Sequence, residues 1–262
     1  MKKWLCVLMA FLCLLLCGCS GGIMVTGSYD HADRYSVGGF IYDAASVRSV
    51  EIYWISGSVT LTESDAARLT VAEEESGLSA DQQMRWLLEG DTLRIQFCQS
   101  GYKGIFKQKK ALNMQLPQGV DLKVNGTSAD VKLGDHTLQE MALDTISGGI
   151  TAGNLRAEEL RVNTVSGNIR AGLVDLRDEM KIDSVSGDIT VEAVKARKVE
   201  INSISGNVSL ALYQCGGADI DTISGDVALY APHDQGVRVE YSTASGKGNG
   251  QKSKSGSQTL GS

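Results

Sequence analysis

The sequence predicts an all-β fold in which most of the chain forms a single-stranded parallel β-solenoid. This right-handed β-helix-like arrangement has about 19–20 residues per coil and follows a less regular N-terminal β portion. The first observation is repetition: the phrase DSVSGDITV returns as DTISGGITA, NTVSGNIRA, NSISGNVSL and DTISGDVAL. The second is composition, because 30 glycines and only 6% aromatic residues in a chain of 262 favour tight turns and a core of small aliphatic side chains.

The repeat has a nearly constant length. Its serines are 19, 20, 19, 19 and 21 residues apart, at Ser147, Ser166, Ser186, Ser205, Ser224 and Ser245. A fixed short period indicates a solenoid, because one copy cannot bury its apolar side alone and must stack on its neighbours. Coils stack about 4.8 Å apart, so we expect equivalent residues to meet in columns along the solenoid axis.

Four aliphatic columns are predicted to face the interior, because apolar and polar residues alternate around each Ser-Gly pair. The first column contains Leu143, Val162, Ile182, Ile201 and Ile220. The second contains Ile146, Val165, Val185, Ile204 and Ile223. The third contains Ile150, Ile169, Ile189, Val208 and Val227, and the fourth contains Ala152, Ala171, Val191, Leu210 and Leu229.

Each coil is predicted to turn a corner at its Ser-Gly pair. We expect the glycines to adopt a positive φ without a Cβ penalty, and the serine hydroxyls to hydrogen-bond the neighbouring backbone. The structural turn residues are therefore Ser147, Gly148, Ser166, Gly167, Ser186, Gly187, Ser205, Gly206, Ser224 and Gly225.

Two columns of Asp and Asn flank the corner. One reads Asp144, Asn163, Asp183, Asn202 and Asp221, and the other reads Gly149, Asn168, Asp188, Asn207 and Asp226. Alternation of acid and amide limits repulsion between neighbouring carboxylates. Calcium binding is one hypothesis, but the spacing of calcium-binding β-roll repeats is absent. We therefore expect these side chains to cap their own turns, and we expect neither a metal nor another cofactor.

The region 47–135 is predicted to be the irregular β portion, and 136–248 to hold the regular coils, the last of which acts as a cap. The predicted elements of the first region are a strand with an early corner at Ser56-Gly57, a hairpin of Met84–Leu88 and Thr92–Phe97, a strand at Ala111–Leu116, and a strand at Val120–Val124. Asn125-Gly126 then stands where later coils have Ser-Gly.

The N-terminus predicts export and lipidation. Lys2 and Lys3 precede an apolar run of about 13 residues, too short for a comfortable membrane span and typical of a signal peptide. The following Leu16-Cys17-Gly18-Cys19 resembles a bacterial lipobox, which implies a signal peptide at 1–18 and a lipid on Cys19. An ordinary signal peptide and an uncleaved anchor are the alternatives. The polar, glycine-rich residues 19–46 are predicted to be a tether, and 249–262 a disordered tail.

Little in the sequence indicates catalysis. The three histidines, His31, His136 and His233, are far apart, and the repeated Ser-Gly is no nucleophile elbow. Cys98 and Cys215 could form a disulfide bond or remain thiols. The net charge of −6, without a long basic stripe, disfavours nucleic acid as a partner. A carbohydrate-active enzyme would need clustered acids with a basic residue, for which Arg161, Lys181 and Asp183 are the candidates.

One basic segment, YKGIFKQKK, contrasts with the acidic chain. Its aromatic and basic residues form a possible contact patch for anionic lipid or a wall polymer: Tyr102, Lys103, Phe106, Lys107, Lys109 and Lys110. The alternative is a solvated hairpin whose aromatic rings fold against the coils.

The order of motifs, with an early Ser-Gly strand, a Gly-Asp hairpin with Leu-Arg-Ile, a Leu-Pro-x-Gly-Val turn and tandem Ser-Gly-Asp/Asn coils, resembles the bacterial "putative adhesin" domain of unknown function, related to the head domains of autotransporter adhesins. The resemblance covers about residues 47–248. It implies a right-handed parallel β-solenoid on the cell surface and supplies no catalytic residues.

Three functional hypotheses follow, none of which names a specific ligand. The first is a membrane-anchored, extracytoplasmic lipoprotein whose solenoid serves adhesion or binds an envelope protein or glycan. The second is a sensory or scaffolding lipoprotein in an envelope-stress pathway. The third is a carbohydrate-active enzyme.

Overall fold

The computed structural model of the chain describes residues 23–64, 68–75, 77–106, 109–231, 237–248, 251–252 and 255–260. Within these residues the fold is all-β apart from two short 3-10 helices at Ala32–Arg34 and Ala44–Ser46. The strands of the N-terminal part are β1 (Ile23–Thr26), β2 (Ser36–Val37), β3 (Phe40–Asp43), β4 (Ser49–Glu63), β5 (Arg68–Glu74), β6 (Arg85–Glu89), β7 (Thr92–Gln96), β8 (Lys103–Phe106) and β9 (Lys110–Leu116).

The rest of the chain continues as a succession of parallel strands, confirming the predicted β-solenoid of about six turns. These strands are β10 (Asp121–Leu133), β11 (His136–Thr137), β12 (Glu140–Thr145), β13 (Ile150–Ala152), β14 (Leu155–Ala157), β15 (Glu159–Ser166), β16 (Ile169–Leu176), β17 (Glu179–Ser186), β18 (Ile189–Ala196), β19 (Lys198–Ser205), β20 (Val208–Cys215), β21 (Gly217–Ser224), β22 (Val227–Tyr230), β23 (Val237–Thr243) and β24 (Lys247–Gly248). Two further strands follow, β25 (Gln251–Lys252) and β26 (Ser255–Leu260).

Each coil contributes one strand to a continuous parallel stack before the corner. We call this stack the front face; from the N-terminal end it consists of β7, the first half of β4, the first half of β10, and then β12, β15, β17, β19, β21 and β23. A second stack begins after the corner, where β9 pairs with the second half of β4. Like residues therefore meet like residues along both stacks, as the repeat predicted.

Three of the four predicted aliphatic columns face the interior. In the first column, Leu143, Val162 and Ile182 pair in register and are buried. The third column is buried throughout, and the fourth is buried from Val191 onward, with Ala152 and Ala171 partly buried. These columns form one continuous apolar core.

The prediction for the second column was wrong. Its members follow one another from coil to coil, but Ile146, Val165 and Val185 are only half-buried, and Ile204 and Ile223 are 41% and 56% exposed. The interior position is instead the preceding residue, which forms a buried hydroxyl column of Thr145, Thr164, Ser184, Ser203, Thr222 and Thr243. The reason is strand geometry: the first column faces inward, so residues two positions later also face inward and those three positions later face outward.

The corner glycines form a column, as predicted, but a positive φ explains only some of them. Gly187, Gly206 and Gly225 have φ of 131°, 130° and 149°, whereas the φ of Gly148 and Gly167 lies outside the left-handed region. All five share another constraint: an added Cβ would overlap the backbone carbonyl of the preceding coil. Close stacking of the coils therefore excludes a side chain here.

The corner of the coil before Gly148 is not at Asn125-Gly126, as the sequence suggested. Asn125 and Gly126 pair with Asp144 and Thr145, whereas Ala129 pairs with Gly57 and lies against Gly148. Gly126 therefore occupies the buried hydroxyl column. The matching corner is Ser128-Ala129, which local sequence alone does not reveal because it lacks the glycine.

The segments predicted to be a tether and a tail also contain paired strands. In the segment predicted to be a tether, β1 pairs with β8, β2 with β6, and β3 with β5, each antiparallel. Phe40 stacks on Trp86 with ring centroids 4.0 Å apart, which anchors β3 to the N-terminal end of the solenoid. In the predicted disordered tail, β26 pairs antiparallel with β23 and so covers the last edge of the front face.

Candidate functional site

A groove with a volume of about 630 Å³ lies at the N-terminal end of the front face. Its floor consists of outward side chains of β4 and β7, and one wall is the segment 27–35. We call it the tyrosine groove, because the rings of Tyr29, Tyr35 and Tyr53 line it. Its volume falls in the range of sites for small molecules.

The wall of the tyrosine groove is fixed by hydrogen bonds to the strand connection beneath it. The Tyr29 N–H donates to Ser100 Oγ at 3.0 Å, and the Tyr29 hydroxyl donates to the Cys98 carbonyl at 3.0 Å. The Tyr29 and Tyr35 ring centroids are 4.7 Å apart. The groove is therefore preformed, which reduces the entropy that a ligand must overcome on binding.

The charged side chains of the floor form a connected set. Arg94 donates from Nε to Glu51 Oε2 at 3.1 Å and from Nη1 to Glu89 Oε2 at 2.8 Å. Arg34 donates to the other carboxylate oxygen of Glu89 at 2.6 Å. The hydrogen bonds from Arg34 and Arg94 lower the pKa of Glu89, and the bond to Glu89 raises the pKa of Arg94. Glu89 and Arg94 therefore stay ionised and paired at neutral pH, so neither is poised for proton transfer.

The three tyrosine hydroxyls remain protonated well into alkaline pH. Burial raises the pKa of Tyr29 to about 12, against the opposing effect of its hydrogen bond at Ser100. Burial likewise raises the pKa of Tyr35 and Tyr53, although Tyr35 also hydrogen-bonds the Gln96 side chain. The tyrosine groove therefore presents neutral rings with polar edges.

The tyrosine groove opens onto the rest of the front face. Tyr53 pairs in register with Asn125, which begins the outward column that continues through Asp144 to Asp221. Asn163 donates to Asp144 at 2.6 Å, and Asn202 donates to Asp183 at 2.8 Å. The alternation of acid and amide predicted from sequence thus produces hydrogen-bonded pairs between coils.

The second Asx column also joins coils, although we expected its side chains to cap their own turns. Asn168 accepts the backbone N–H of Asp188 at 2.9 Å, and Asp188 accepts that of Asn207 at 2.8 Å. Each side chain therefore caps the backbone of the next coil. Among the described residues, no group of three or more His, Cys, Asp or Glu side chains is placed to hold a metal ion.

Only part of the predicted contact patch is exposed. Lys103 and Lys109 are exposed and Tyr102 is half-buried, but Phe106 is 2% exposed and Lys110 is fully buried. The patch prediction is therefore wrong for Phe106 and Lys110, which belong to the core of the N-terminal end. Lys107 lies outside the described residues, as does the predicted lipidation site Cys19.

Lys110 lies in the first coil at the position that glycines occupy later, since it pairs with Gly57. Among the described residues no further coil stacks on this one, so the Lys110 side chain has room to enter the N-terminal end of the solenoid. Its Nζ lies 2.5 Å from Glu73 Oε1 and 4.1 Å from the Phe97 ring centroid, with Trp54 and Phe106 also close. Burial lowers the pKa of Lys110, and Glu73 opposes that effect.

The remaining candidates from sequence do not converge on one site. Cys98 and Cys215 are buried free thiols, and burial raises the pKa of both. His31 lines the tyrosine groove, His136 is buried, and His233 lies outside the described residues.

The residues suggested for a carbohydrate-active enzyme each bind another partner. Arg161 pairs with Glu159, Lys181 with Glu200, and Asp183 with Asn202. The first pair lies within one strand and the other two link neighbouring coils, so each of the three candidates takes part in a structural contact.

Sequence reasoning missed the tyrosine groove. Tyr29 and Tyr35 were assigned to a tether because glycine and polar residues surround them. The available signal was the aromatic content of residues 29–42, which includes Tyr29, Tyr35, Phe40 and Tyr42, an unusual density for a flexible linker in a chain with 6% aromatics.

Within the described part of the chain, no helix is both long enough and apolar enough to cross a membrane. A family model described as Toastrack DUF4097 matches residues 47–261. No curated protein matches this chain significantly.

Several solved structures are similar to this chain. A "putative adhesin" from Parabacteroides distasonis is 11% identical with a TM-score of 0.46, covering 81% of this chain and 96% of its own. A "putative lipid binding protein" from the same species is 19% identical with a TM-score of 0.43, covering 82% and 95%. A "putative cell adhesion protein" from Clostridium sporogenes is 11% identical with a TM-score of 0.33, covering 81% and 100%.

Proposed function

This chain belongs to the Toastrack DUF4097 family, and from that premise we propose that it is an extracytoplasmic binding module, held at the outer surface of a membrane through a lipid on Cys19. Its role is adhesion or another interaction with the cell envelope, and the tyrosine groove is its binding site. The observation that carries this proposal is the groove itself: a preformed recess in which Arg94 is paired with Glu51 and Glu89. Such a site is suited to recognition rather than to acid-base chemistry.

The binding role can be tested with the mature chain carrying Cys19→Ser, which cannot be lipidated. We expect an isolated envelope fraction of the source bacterium to retain this protein saturably. Tyr53→Ala should reduce retention about tenfold, as the loss of a central aromatic contact does in other interfaces. Tyr230→Ala is the matched control, because Tyr230 is 63% exposed and lies outside the groove. Absence of saturable retention would refute the binding role.

We also propose that β8 lies against the membrane surface. β8 pairs with β1, whose first residue, Ile23, is four positions after Cys19. Four extended residues span at most about 14 Å, so a lipid on Cys19 would keep β8 close to the headgroups. Lys103 and Lys109 are exposed there, and Ile105 is 51% exposed. Exposed lysines beside an apolar side chain favour contact with an anionic lipid surface.

Vesicle binding tests the membrane contact separately from the groove. The Cys19→Ser chain should bind vesicles of phosphatidylcholine and phosphatidylglycerol better than vesicles of phosphatidylcholine alone, and salt should weaken that binding. Lys103→Gln/Lys109→Gln should abolish the preference. Lys132→Gln/Lys247→Gln removes two exposed lysines elsewhere and should leave it intact. Equal loss in both double variants would show that net charge, rather than β8, determines vesicle binding.

A further inference from the structure

We propose that the tyrosine groove binds a neutral carbohydrate, with one sugar ring against the tyrosines and the chain continuing along the front face. This inference rests on the proposed binding function of the groove and specifies its ligand. Four features of the groove carry it: the pairing of its charges, its aromatic lining, the absence of free backbone on its floor, and its continuity with the outward columns of the coils.

The pairing of charges disfavours a charged ligand. Arg94 already binds Glu51 and Glu89, and the second oxygen of Glu89 binds Arg34. A phosphate or carboxylate would meet arginines whose charge is already balanced by a carboxylate, and a cationic ligand would meet carboxylates already bound to an arginine. The groove wall adds Asp30 and no lysine, which further disfavours anions. Paired ions still accept or donate additional hydrogen bonds, which suits a ligand rich in hydroxyl groups.

The aromatic lining gives such a ligand an apolar surface to contact. Tyr29, Tyr35 and Tyr53 are each half-buried, so their rings are held in place and still reach the groove. Sugar rings have faces of C–H groups and edges of hydroxyls, and tyrosine combines an apolar body with a hydroxyl that donates and accepts. Burial raises the pKa of all three hydroxyls and keeps them protonated. The hydroxyls of Tyr29 and Tyr53 already donate to the Cys98 carbonyl and to Glu51, so they can accept hydrogen bonds from sugar hydroxyls.

The floor cannot recognise a peptide through its backbone. β4 pairs with β10 on one side and with β7 and β9 on the other, while β7 pairs with β4 and β6. Both floor strands are therefore interior strands that present side chains only, whereas peptide recognition by strand addition needs a free edge. The floor therefore offers side chains rather than a free strand edge, which suits a carbohydrate.

The front face provides a path for a longer ligand. Glu51 and Tyr53 of the floor begin outward columns that continue from coil to coil with Lys123 and Asn125. The Asx column beyond Asn125 offers amide and carboxylate groups at a repeat of about 4.8 Å. Ile55 lines the groove, and an aliphatic column that is half-buried at Ile146 and exposed at Ile223 follows on the same face. Alternating polar and apolar rows suit a polymer of sugar rings.

The test uses the envelope fraction after selective destruction of its components. The protein carries Cys19→Ser with Lys103→Gln/Lys109→Gln, so that lipid contact through β8 does not contribute. Periodate oxidation of the fraction cleaves vicinal diols of sugars, and protease digestion removes proteins. We expect periodate to abolish saturable retention and protease digestion to leave it unchanged. Tyr35→Ala and Tyr53→Ala should weaken retention about tenfold each, and Tyr230→Ala should not.

The outcomes separate the ligand class from the binding function. Retention that survives periodate but not protease would overturn the carbohydrate and leave a protein-binding module. Retention that periodate abolishes but that Tyr35→Ala and Tyr53→Ala do not weaken would overturn the groove as its site. Equal melting temperatures of the variants exclude misfolding as the cause of weaker retention, and Tyr53→Phe, which keeps the ring, should retain more binding than Tyr53→Ala.

Discussion

The ε-amino group of Lys110 lies 2.5 Å from a carboxylate oxygen of Glu73, and the two side chains are 0% and 7% exposed. Lys110 also donates to the Gln82 carbonyl at 2.8 Å and to that of Phe97. The solenoid thus closes its first coil with a buried ion pair beneath aromatic rings, where later coils have glycine. A buried pair of this kind contributes little net stability, but its disruption is costly.

Lys110→Met should therefore lower the free energy of unfolding by about 3–5 kcal/mol, because it leaves the Glu73 carboxylate buried without its counter-ion. Denaturant unfolding measures the loss. The neighbouring Lys109 is exposed, so Lys109→Met should change stability by less than about 0.5 kcal/mol. Glu73→Gln in the Lys110→Met background should recover part of the loss, because no uncompensated charge then remains. A double variant less stable than Lys110→Met would contradict the assignment.

The glycine column offers a second prediction, which separates two reasons for glycine: close contact with the preceding coil and a left-handed φ. Gly187→Ala meets both constraints, a left-handed φ and overlap with the Gly167 carbonyl, and should cost about 3 kcal/mol. Gly167→Ala meets a similar overlap, with the Gly148 carbonyl, but no left-handed φ, and should cost less. At Gly149 the nearest atoms to an added Cβ are 3.7 Å away, so Gly149→Ala should be neutral or slightly stabilising. If melting temperatures did not follow this order, close stacking would not be the reason for glycine.

The buried hydroxyl column gives a third prediction, in which two similar substitutions have opposite effects. Thr145 Oγ1 accepts the Gly148 N–H at 3.2 Å, whereas the buried Thr164 Oγ1 has no hydrogen-bond partner among the described residues. Thr164→Val should raise the free energy of unfolding by about 1 kcal/mol, because it removes an unsatisfied buried hydroxyl without changing side-chain shape. Thr145→Val should lower it by about the same amount. Denaturant unfolding of both variants would expose an error if their effects had the same sign.

These predictions concern features that sequence reasoning only partly reached. The repeat predicted the coils, their register and three inward columns, because stacking identical units leaves few alternatives. The second column was misplaced because hydrophobicity was weighted above strand period: Ile146 is more apolar than Thr145, yet Thr145 is two residues after the inward Leu143. Side chains alternate in direction along a strand, and this alternation decides which residue points inward even when it buries a hydroxyl group.

The tyrosine groove could not be derived from the repeat, because it forms where the repeat ends. It combines a wall from residues 27–35 with floor strands that follow in the chain, β4 and β7. Contacts between distant segments, such as the bond from Tyr29 to the Cys98 carbonyl, leave no periodic pattern in sequence. The same holds for Lys110, whose burial depends on its place in the first coil rather than on its neighbours in the chain.

Cross-coil ion pairs on the front face give a last prediction, which concerns pH. Glu200 binds Lys181 of the preceding coil and, at 2.6 Å, Lys198 of its own strand, and these hydrogen bonds lower its pKa to about 2. A carboxylate with a depressed pKa in the folded state stabilises the fold above its unfolded pKa of about 4.3 and loses that effect as pH falls toward 2. Because Lys198 is 47% exposed, solvent screening limits the contribution to about 1 kcal/mol.

Glu200→Gln should therefore be less stable than wild type at pH 7 by about 1 kcal/mol and equally stable near pH 2. The control is Glu192→Gln, which changes an exposed carboxylate of a neighbouring strand and should show little difference at either pH. Denaturant unfolding across this range measures the convergence, and a Glu200→Gln deficit that persisted undiminished at pH 2 would show that packing, not ionisation, causes it.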